Sequence, residues 1–190
     1  WAFANGYDSD PVCTEGYEAP VKSIGNSTTT PRDMETDLDV WIILMALSES
    51  VSARLRKHGF KCNVVEVSIR DNELNSITRQ MHIGQPTNIT GEIVKAAFEL
   101  FKKHYRWEHS IRSLGVRGSD LVMEDIPVQL DLFVNQEKRE KLERLDRAVD
   151  EIRRRFGYFS IQRAAMYQDK VLSHLDAGTH TVHPHSYFHG

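Results

Sequence analysis

Two short runs, Cys62 to Arg70 and Ser76 to Ile83, constrain the fold more than any other part of the sequence. In the first, Val65, Val67 and Ile69 fall on one side, and Val64, Glu66, Ser68 and Arg70 on the other. Successive side chains of a strand point to opposite faces, so this period marks a half-buried strand. Asp71-Asn72-Glu73-Leu74-Asn75 is turn material. The second run then returns with Ile77, Met81 and Ile83 inward and Ser76, Thr78, Gln80 and His82 outward. The pair predicts an antiparallel hairpin with one apolar face. Arg79 falls on the inner side by strict alternation, which requires either a bulge that re-aims it or a different register.

The remaining periodic segments fit around that hairpin. Val21 to Thr30 is β-prone and stops at Pro31. Met34 to His58 has helical spacing: Leu38, Trp41, Ile42 and Met45 share a face that Val51 and Leu55 extend. Thr36 is placed to cap this helix and Gly59 to end it in a left-handed conformation. Ile89 to Tyr105 is a second helix with the stripe Ile93, Ala97, Leu100 and Phe101, and Thr87 or Thr90 as its cap. Ile111 to Val122 reads as another strand, with Gly115 and Gly118 in or beside it. Gln136 to Phe156 reads as a third helix whose stripe is Leu142, Leu145, Val149, Ile152 and Phe156, ended by Gly157. The expected fold class is therefore α+β. A small, largely antiparallel four-stranded sheet (β-α-β-β-α-β) carries two helices on one face, followed by a connector and a C-terminal helix. The other face of the sheet is expected to be polar.

Bulk properties narrow the function classes. The 190 residues suffice for one good core. A formal net charge of −3 is no signature of nucleic-acid binding, so any such face must come from local clustering of cations. Two cysteines, Cys13 and Cys62, far apart in sequence, predict a reducing cytoplasm and no disulfide framework. No apolar run reaches membrane-spanning length, and no signal peptide is evident. The chain opens at Trp1-Ala2-Phe3-Ala4-Asn5-Gly6 without an initiator Met, which reads as a piece of a longer protein. His180, His183, His185 and His189 lack the spacing and partner ligands of a metal site and read as a tail. No metal ligand set and no catalytic constellation stands out.

Several segments resemble the little-finger domain of Y-family translesion DNA polymerases, in the right order. Val21-Lys22-Ser23-Ile24-Gly25-Asn26-Ser27-Thr28-Thr29-Thr30-Pro31-Arg32-Asp33 resembles that domain's first strand and the entry to its first helix. Ile111-Arg112-Ser113-Leu114-Gly115-Val116-Arg117 resembles its last strand. Trp1 to Asp8 is similar to the end of the family's thumb domain. Asp150-Glu151-Ile152-Arg153-Arg154-Arg155-Phe156-Gly157 with Ile161-Gln162-Arg163-Ala164 resembles the bacterial UmuC-like (ImpB/MucB/SamB) branch. The resemblance covers roughly residues 1–166 and implies 1–20 as the end of a thumb and a linker, 21–125 as a DNA-binding little finger and 126–166 as a clamp-binding connector and helix; 167–190, outside it, reads as a mobile tail.

It also implies a mechanism. The little finger grips template-primer duplex without reading its sequence, through contacts to phosphates. The candidates are Lys22, Ser23, Ile24, Gly25, Asn26 and Ser27 on the first strand, Thr78, Arg79 and Gln80 on the third, and Arg112 and Arg117 on the last. Each also fits a plain reading: Lys22 and Arg117 as solvated cations, Ser27 to Thr30 as a β-prone strand end. Arg70 also fits pairing with Glu66. Polymerisation in the family uses palm carboxylates holding two magnesium ions. Here Asp8-Ser9-Asp10 and Asp37-Leu38-Asp39 are the Asp-x-Asp pairs, and both read as structural. The resemblance thus implies no cofactor and no polymerase activity for this fragment, but a DNA-directed DNA polymerase as its parent.

Gln129-Leu130-Asp131-Leu132-Phe133 carries an amide at its start and two apolar anchors at its end. Such a peptide suits a partner's groove, with Leu132 and Phe133 buried and Gln129 fixing register. Leu130 and Leu132 alternating into a core, with Phe133 stapling the next helix, is the other reading. The pentapeptide resembles the motif by which bacterial DNA-processing proteins dock on the β sliding clamp. Two function hypotheses follow. One is a DNA-binding and clamp-docking part of an error-prone polymerase acting in DNA repair, in the bacterial cytoplasm at the nucleoid. The other is an α+β protein-interaction module with no DNA role.

Overall fold

The computed structural model describes residues 1, 3–7, 20–125 and 135–174. Strands β1 (Ser23–Met34), β2 (Phe60–Asp71), β3 (Ser76–Thr87) and β4 (Ile111–Met123) form one sheet in the order β1-β4-β2-β3, every neighbouring pair antiparallel. Helix α1 (Asp37–Lys57) joins β1 to β2, and α2 (Thr90–His104) joins β3 to β4. Both helices lie on one face of the sheet, as the pattern of the strands requires. Helix α3 (Gln136–Phe156) and the short α4 (Lys170–Ser173) follow. The expected α+β order is observed.

Local chemistry explains the element ends. Thr36 accepts from the Asp39 N–H at 3.2 Å, and the Asp39 carboxylate accepts from the Thr36 N–H at 3.1 Å, a reciprocal cap at the start of α1. Gly59, at φ 69°, takes the left-handed position that follows the helix. Strand β1 runs past its expected end at Thr30. Its pairing shifts between Thr29 and Met34, and Pro31 is tolerated there because β1 is an edge strand. Neither Thr87 nor Thr90 caps α2, which starts from Ile89 without a side-chain cap. Instead, the Thr90 N–H donates to the Asp146 carboxylate of α3 at 2.8 Å.

The core lies between sheet and helices: Val65, Val67 and Ile69 of β2, Leu114 and Val116 of β4, and Ile93, Ala97 and Phe101 of α2 are buried there. The single amphipathic face expected of α1 is too narrow a description. Leu38 is exposed, whereas Val40, Ile43, Leu44 and Leu47 are buried as well as Ile42, Val51 and Leu55. The helix is enclosed on nearly every side, and two of its charged residues, Glu49 and Arg56, are buried with it.

Helix α3 meets those two charges. Arg56 donates to Asp150 at 2.6 and 2.9 Å, to Asp146 at 3.4 Å, and to the carbonyl of Asn88 at 2.6 Å. Glu49 accepts from Arg163 at 3.0 Å and pairs with Arg153 at 2.9 Å. Arg163 also donates to Asp146 at 3.1 Å. Farther along, Arg139 forks onto Glu92 at 2.8 and 3.0 Å. The apolar stripe expected to pack α3 therefore packs only in part, with Leu142 and Val149 half-buried beside the ion pairs. Asp146 is the one described residue of α3 that is buried, and Leu145, Ile152 and Phe156 are exposed. Nor do its charges form a merely solvated face, because most of the ion pairs bind α3 to the domain. The structure also packs beyond the expected tail boundary at residue 167: Leu172 joins the core, and Asp169 holds Arg32 of β1 at 2.6 Å.

Arg56 and Asp146 leave only 4% and 6% of their side chains accessible, so removing one leaves a desolvated charge behind. Breaking such a pair costs about 3–5 kcal/mol. Arg56→Ala is expected to lower stability by about that amount in urea unfolding, far more than Arg154→Ala, whose partner Glu151 is exposed.

Arg32 predicts a pH dependence. Burial pushes the Asp39 carboxyl up, but the Arg32 guanidinium, the Glu35 amide and Thr36 more than offset it and hold it below the usual carboxylate range. Arg32, then the Leu172 amide, hold Asp169 low as well. Both pKa values are lower folded than unfolded. Their stabilisation is thus in place above the unfolded range near ~4 and is lost as pH falls through the folded values. Arg32→Gln is expected to lower Tm at neutral pH, and the gap to the parent chain should close in thermal melts taken below pH ~4.

Candidate nucleic-acid interface

The face of the sheet opposite the helices is laid out by the strand register. Four rows cross it: Ser23–Ser119–Val64–His82, Gly25–Arg117–Glu66–Gln80, Ser27–Gly115–Ser68–Thr78, and Thr29–Ser113–Arg70–Ser76. Apart from Val64, every side chain in these rows is polar or absent. Residues one step along each strand (Ile24, Val116, Val67, Leu114, Ile69) point into the core. Alternation alone thus makes one apolar and one hydrophilic face from the same strands.

Small side chains keep the middle of this face low. A Cβ on Gly115 would stand 2.4 Å from the Ser68 hydroxyl and 3.0 Å from the Ser27 Cβ, so the row is already closed at backbone height. A Cβ on Gly25 would meet the Arg117 side chain at 3.1 Å, so the arginine stem lies across the strand where the glycine leaves room. Thr29 and Ser113 share a hydroxyl hydrogen bond of 2.8 Å at one end of the face. From the helix side, Arg54 donates to the Gly25 carbonyl at 2.9 Å and anchors the edge strand to α1.

The expected contact residues divide. Ser23, Gly25, Ser27, Thr78, Gln80 and Arg117 all stand in the polar rows. Lys22 is exposed immediately before β1. Ile24 and Asn26 do not present their side chains to this face. Ile24 is buried in the core, and the Asn26 amide donates to Ser50 of α1 at 3.1 Å. Arg79 sits opposite Val67 with no register shift nearby, so no bulge re-aims it. It stands on the helix side as alternation demands, and is exposed because β3 is an edge strand. Arg112 is the extra residue of a bulge: Arg70 pairs with Ser113 and Asp71 with Ile111, skipping it. It reaches Asp33 at 3.3 Å instead of joining the polar face.

Two charges were misassigned by sequence reasoning. Glu66 pairs across strands with Arg117, at 3.5 Å, and not along its own strand with Arg70. Arg70 is exposed in the row Thr29–Ser113–Arg70–Ser76 and is a contact candidate that sequence reasoning treated only as a partner for Glu66. His82 is a second omission; its place in the outward alternation of the hairpin was the available signal. Gln129, Leu130, Asp131, Leu132 and Phe133 lie outside the described residues, as do Asp8, Asp10, Cys13 and the C-terminal histidines.

Among the described residues, no group of three or more His, Cys, Asp or Glu side chains is placed to hold a metal ion. No described helix is long and apolar enough to cross a membrane. Asp37 and Asp39 are both engaged structurally. Asp37 accepts from Lys102 and, at 3.0 Å, from the Trp107 indole, and Asp39 holds the α1 cap and Arg32. What the polar face offers is hydroxyls, amides and the cations Arg70 and Arg117 in its rows.

Comparison with known proteins gives consistent findings. The model of the impB/mucB/samB family C-terminal domain matches residues 21–132. DNA polymerase IV of Acetivibrio thermocellus is 47% identical over 175 residues, covering 92% of this chain and 44% of the relative. DNA polymerase IV 2 of Bacillus subtilis is 36% identical over 170 residues, covering 87% and 40%. Among solved structures, the complex of the beta-clamp processivity factor with the little finger domain of PolIV superposes with a TM-score of 0.45 at 17% identity, over 59% of this chain and 99% of that one. The chain spans less than half the length of the curated polymerases it matches. With the match to the family model covering the whole sheet and both of its helices, the chain belongs to the impB/mucB/samB family and carries its C-terminal domain.

Proposed function

We propose that this chain is the DNA-gripping and clamp-docking part of an error-prone translesion polymerase of bacterial DNA repair, working in the cytoplasm at the nucleoid. The observation that carries the reading is the hydrophilic sheet face, with Arg117 and Arg70 in its rows and Lys22 just before its first strand, in a chain this similar to polymerase IV. A flat surface of hydroxyls and amides positions phosphates without reading bases, which is what an enzyme that must pass damaged template requires. On this reading nucleotidyl transfer and its two magnesium ions belong to the palm of the polymerase, and this chain needs no cofactor. Gln129 to Phe133 would tether the polymerase to the β sliding clamp. Two weak contacts then act together, because clamp binding raises the local concentration of the sheet at the primer end.

The test of the DNA reading is fluorescence anisotropy of a labelled primer-template duplex titrated across salt. Binding that rests on phosphates falls steeply as salt rises, and each lost contact makes the log–log slope shallower by about 1. Arg70→Ala and Arg117→Ala are each expected to weaken binding by that signature, equally on duplexes of different sequence. Glu66→Gln is expected to do the opposite and tighten binding, because it removes the acid that holds Arg117. A salt-independent or absent interaction would favour the protein-interaction module instead.

Clamp docking is tested separately, by calorimetry of the chain with a bacterial β clamp. Leu132→Ala/Phe133→Ala is expected to abolish the heat of binding while leaving DNA affinity unchanged. Equal heats from both chains would remove the pentapeptide from the mechanism.

A further inference from the structure

Helix α3 wears its charges inward and its apolar stripe outward. Arg139, Glu143, Asp146, Asp150 and Arg153 follow one face of the helix and bind Glu92, Lys61, Arg56 and Glu49 of the domain. These pairs fix the rotation of α3 about its axis. Leu142, Leu145, Val149, Ile152 and Phe156 run along a flank roughly a quarter-turn away, at steps of three, four, three and four residues. Leu145, Ile152 and Phe156 are 52%, 36% and 72% exposed, while Leu142 and Val149, on the side nearer the ion pairs, are half-buried. An amphipathic helix ordinarily turns its apolar stripe to the core. Here desolvated ion pairs hold the outer residues of the stripe, Leu145, Ile152 and Phe156, in the open.

We propose that this stripe is a docking site for an acidic amphipathic helix of a partner protein. The three-four spacing over five positions is that of a helix-packing seam about 21 Å long, into which side chains of a second helix interlock. Charge selects the partner. The flank of the stripe away from the domain carries Lys141, Arg144 and Arg155, all exposed. Lys141 and Arg144 hold no ion pair among the described residues, and Glu151, the nearest acid to Arg155, is already held by Arg154 at 2.7 Å. A second copy of α3 would set these cations against each other, whereas glutamates flanking an apolar seam would meet them. The narrow seam favours a helix over a lipid surface.

The experiment uses the 190-residue chain and two synthetic heptad peptides with the same leucine seam, one flanked by glutamate and one by lysine. Anisotropy of the labelled peptides reads binding. The glutamate peptide is expected to bind and the lysine peptide not. Leu145→Ser/Ile152→Ser should weaken binding at least about tenfold, as loss of central anchors does, with Tm unchanged because both side chains are exposed. Lys141→Glu/Arg144→Glu should weaken the glutamate peptide and admit the lysine one. Failure of the glutamate peptide to bind, or equal affinity in the serine variant, overturns the proposal. So does a fall in Tm of that variant, which would mean that the chain covers its own stripe. Concentration-dependent dimerisation lost in the serine variant assigns the stripe to a second copy. Binding to phosphatidylglycerol vesicles in place of the peptide assigns it to a membrane. Either result overturns the proposal as well.

Discussion

Arg56 is the point on which the helical layer depends. Its guanidinium reaches the carbonyl of Asn88, where β3 turns into α2, and the carboxylates of Asp146 and Asp150 on α3. Asp146 in turn accepts the first amide of α2 and one arm of Arg163. One buried cation on α1 therefore orients α2, α3 and the segment after α3. A charge this deep is costly to desolvate and is tolerated only where its hydrogen-bonding groups are met. With those partners in place, the pairing geometry leaves little freedom in how α3 lies on the domain.

That arrangement explains why the sheet was legible in the sequence and the outer helix was not. Strand alternation reports burial directly, because residues two apart share an environment. Val65, Val67 and Ile69 on one side and Glu66, Ser68 and Arg70 on the other could be sorted without a structure. The polar face followed, and with it six of the eleven expected DNA contacts. Helix α3 followed the opposite rule. Its apolar stripe gave the period but only part of the packing face, because the residues that decide its orientation, Glu49 and Arg56, lie on another helix.

The site residues that were misplaced fail for local reasons of a different kind. Arg112 leaves the polar face because a bulge absorbs it, and a bulge is set by the neighbouring strands. Ile24 and Asn26 were drawn in by their position between Ser23, Gly25 and Ser27, although alternation turns their side chains towards the helices. Arg79 stays exposed on the helix side because its strand is an edge, which sequence order alone does not reveal. Cross-strand register also decides that Glu66 faces Arg117 and leaves Arg70 open.

The pairing of Glu66 with Arg117 bears on how the proposed grip would be tuned. A sheet face crowded with unpaired arginines would hold duplex tightly, and a polymerase that must advance base by base cannot be held that way. Ser27, Gly115, Ser68 and Thr78 give the centre of the face hydrogen-bonding capacity without charge, and the acid beside Arg117 offsets the one central cation. Full charge is left to Arg70 in the end row and to Lys22 just before β1, where solvent and salt screen it. On the proposed reading, weak and evenly spread contacts of this kind suit a grip that a tether completes, and they reconcile that reading with a formal net charge of −3.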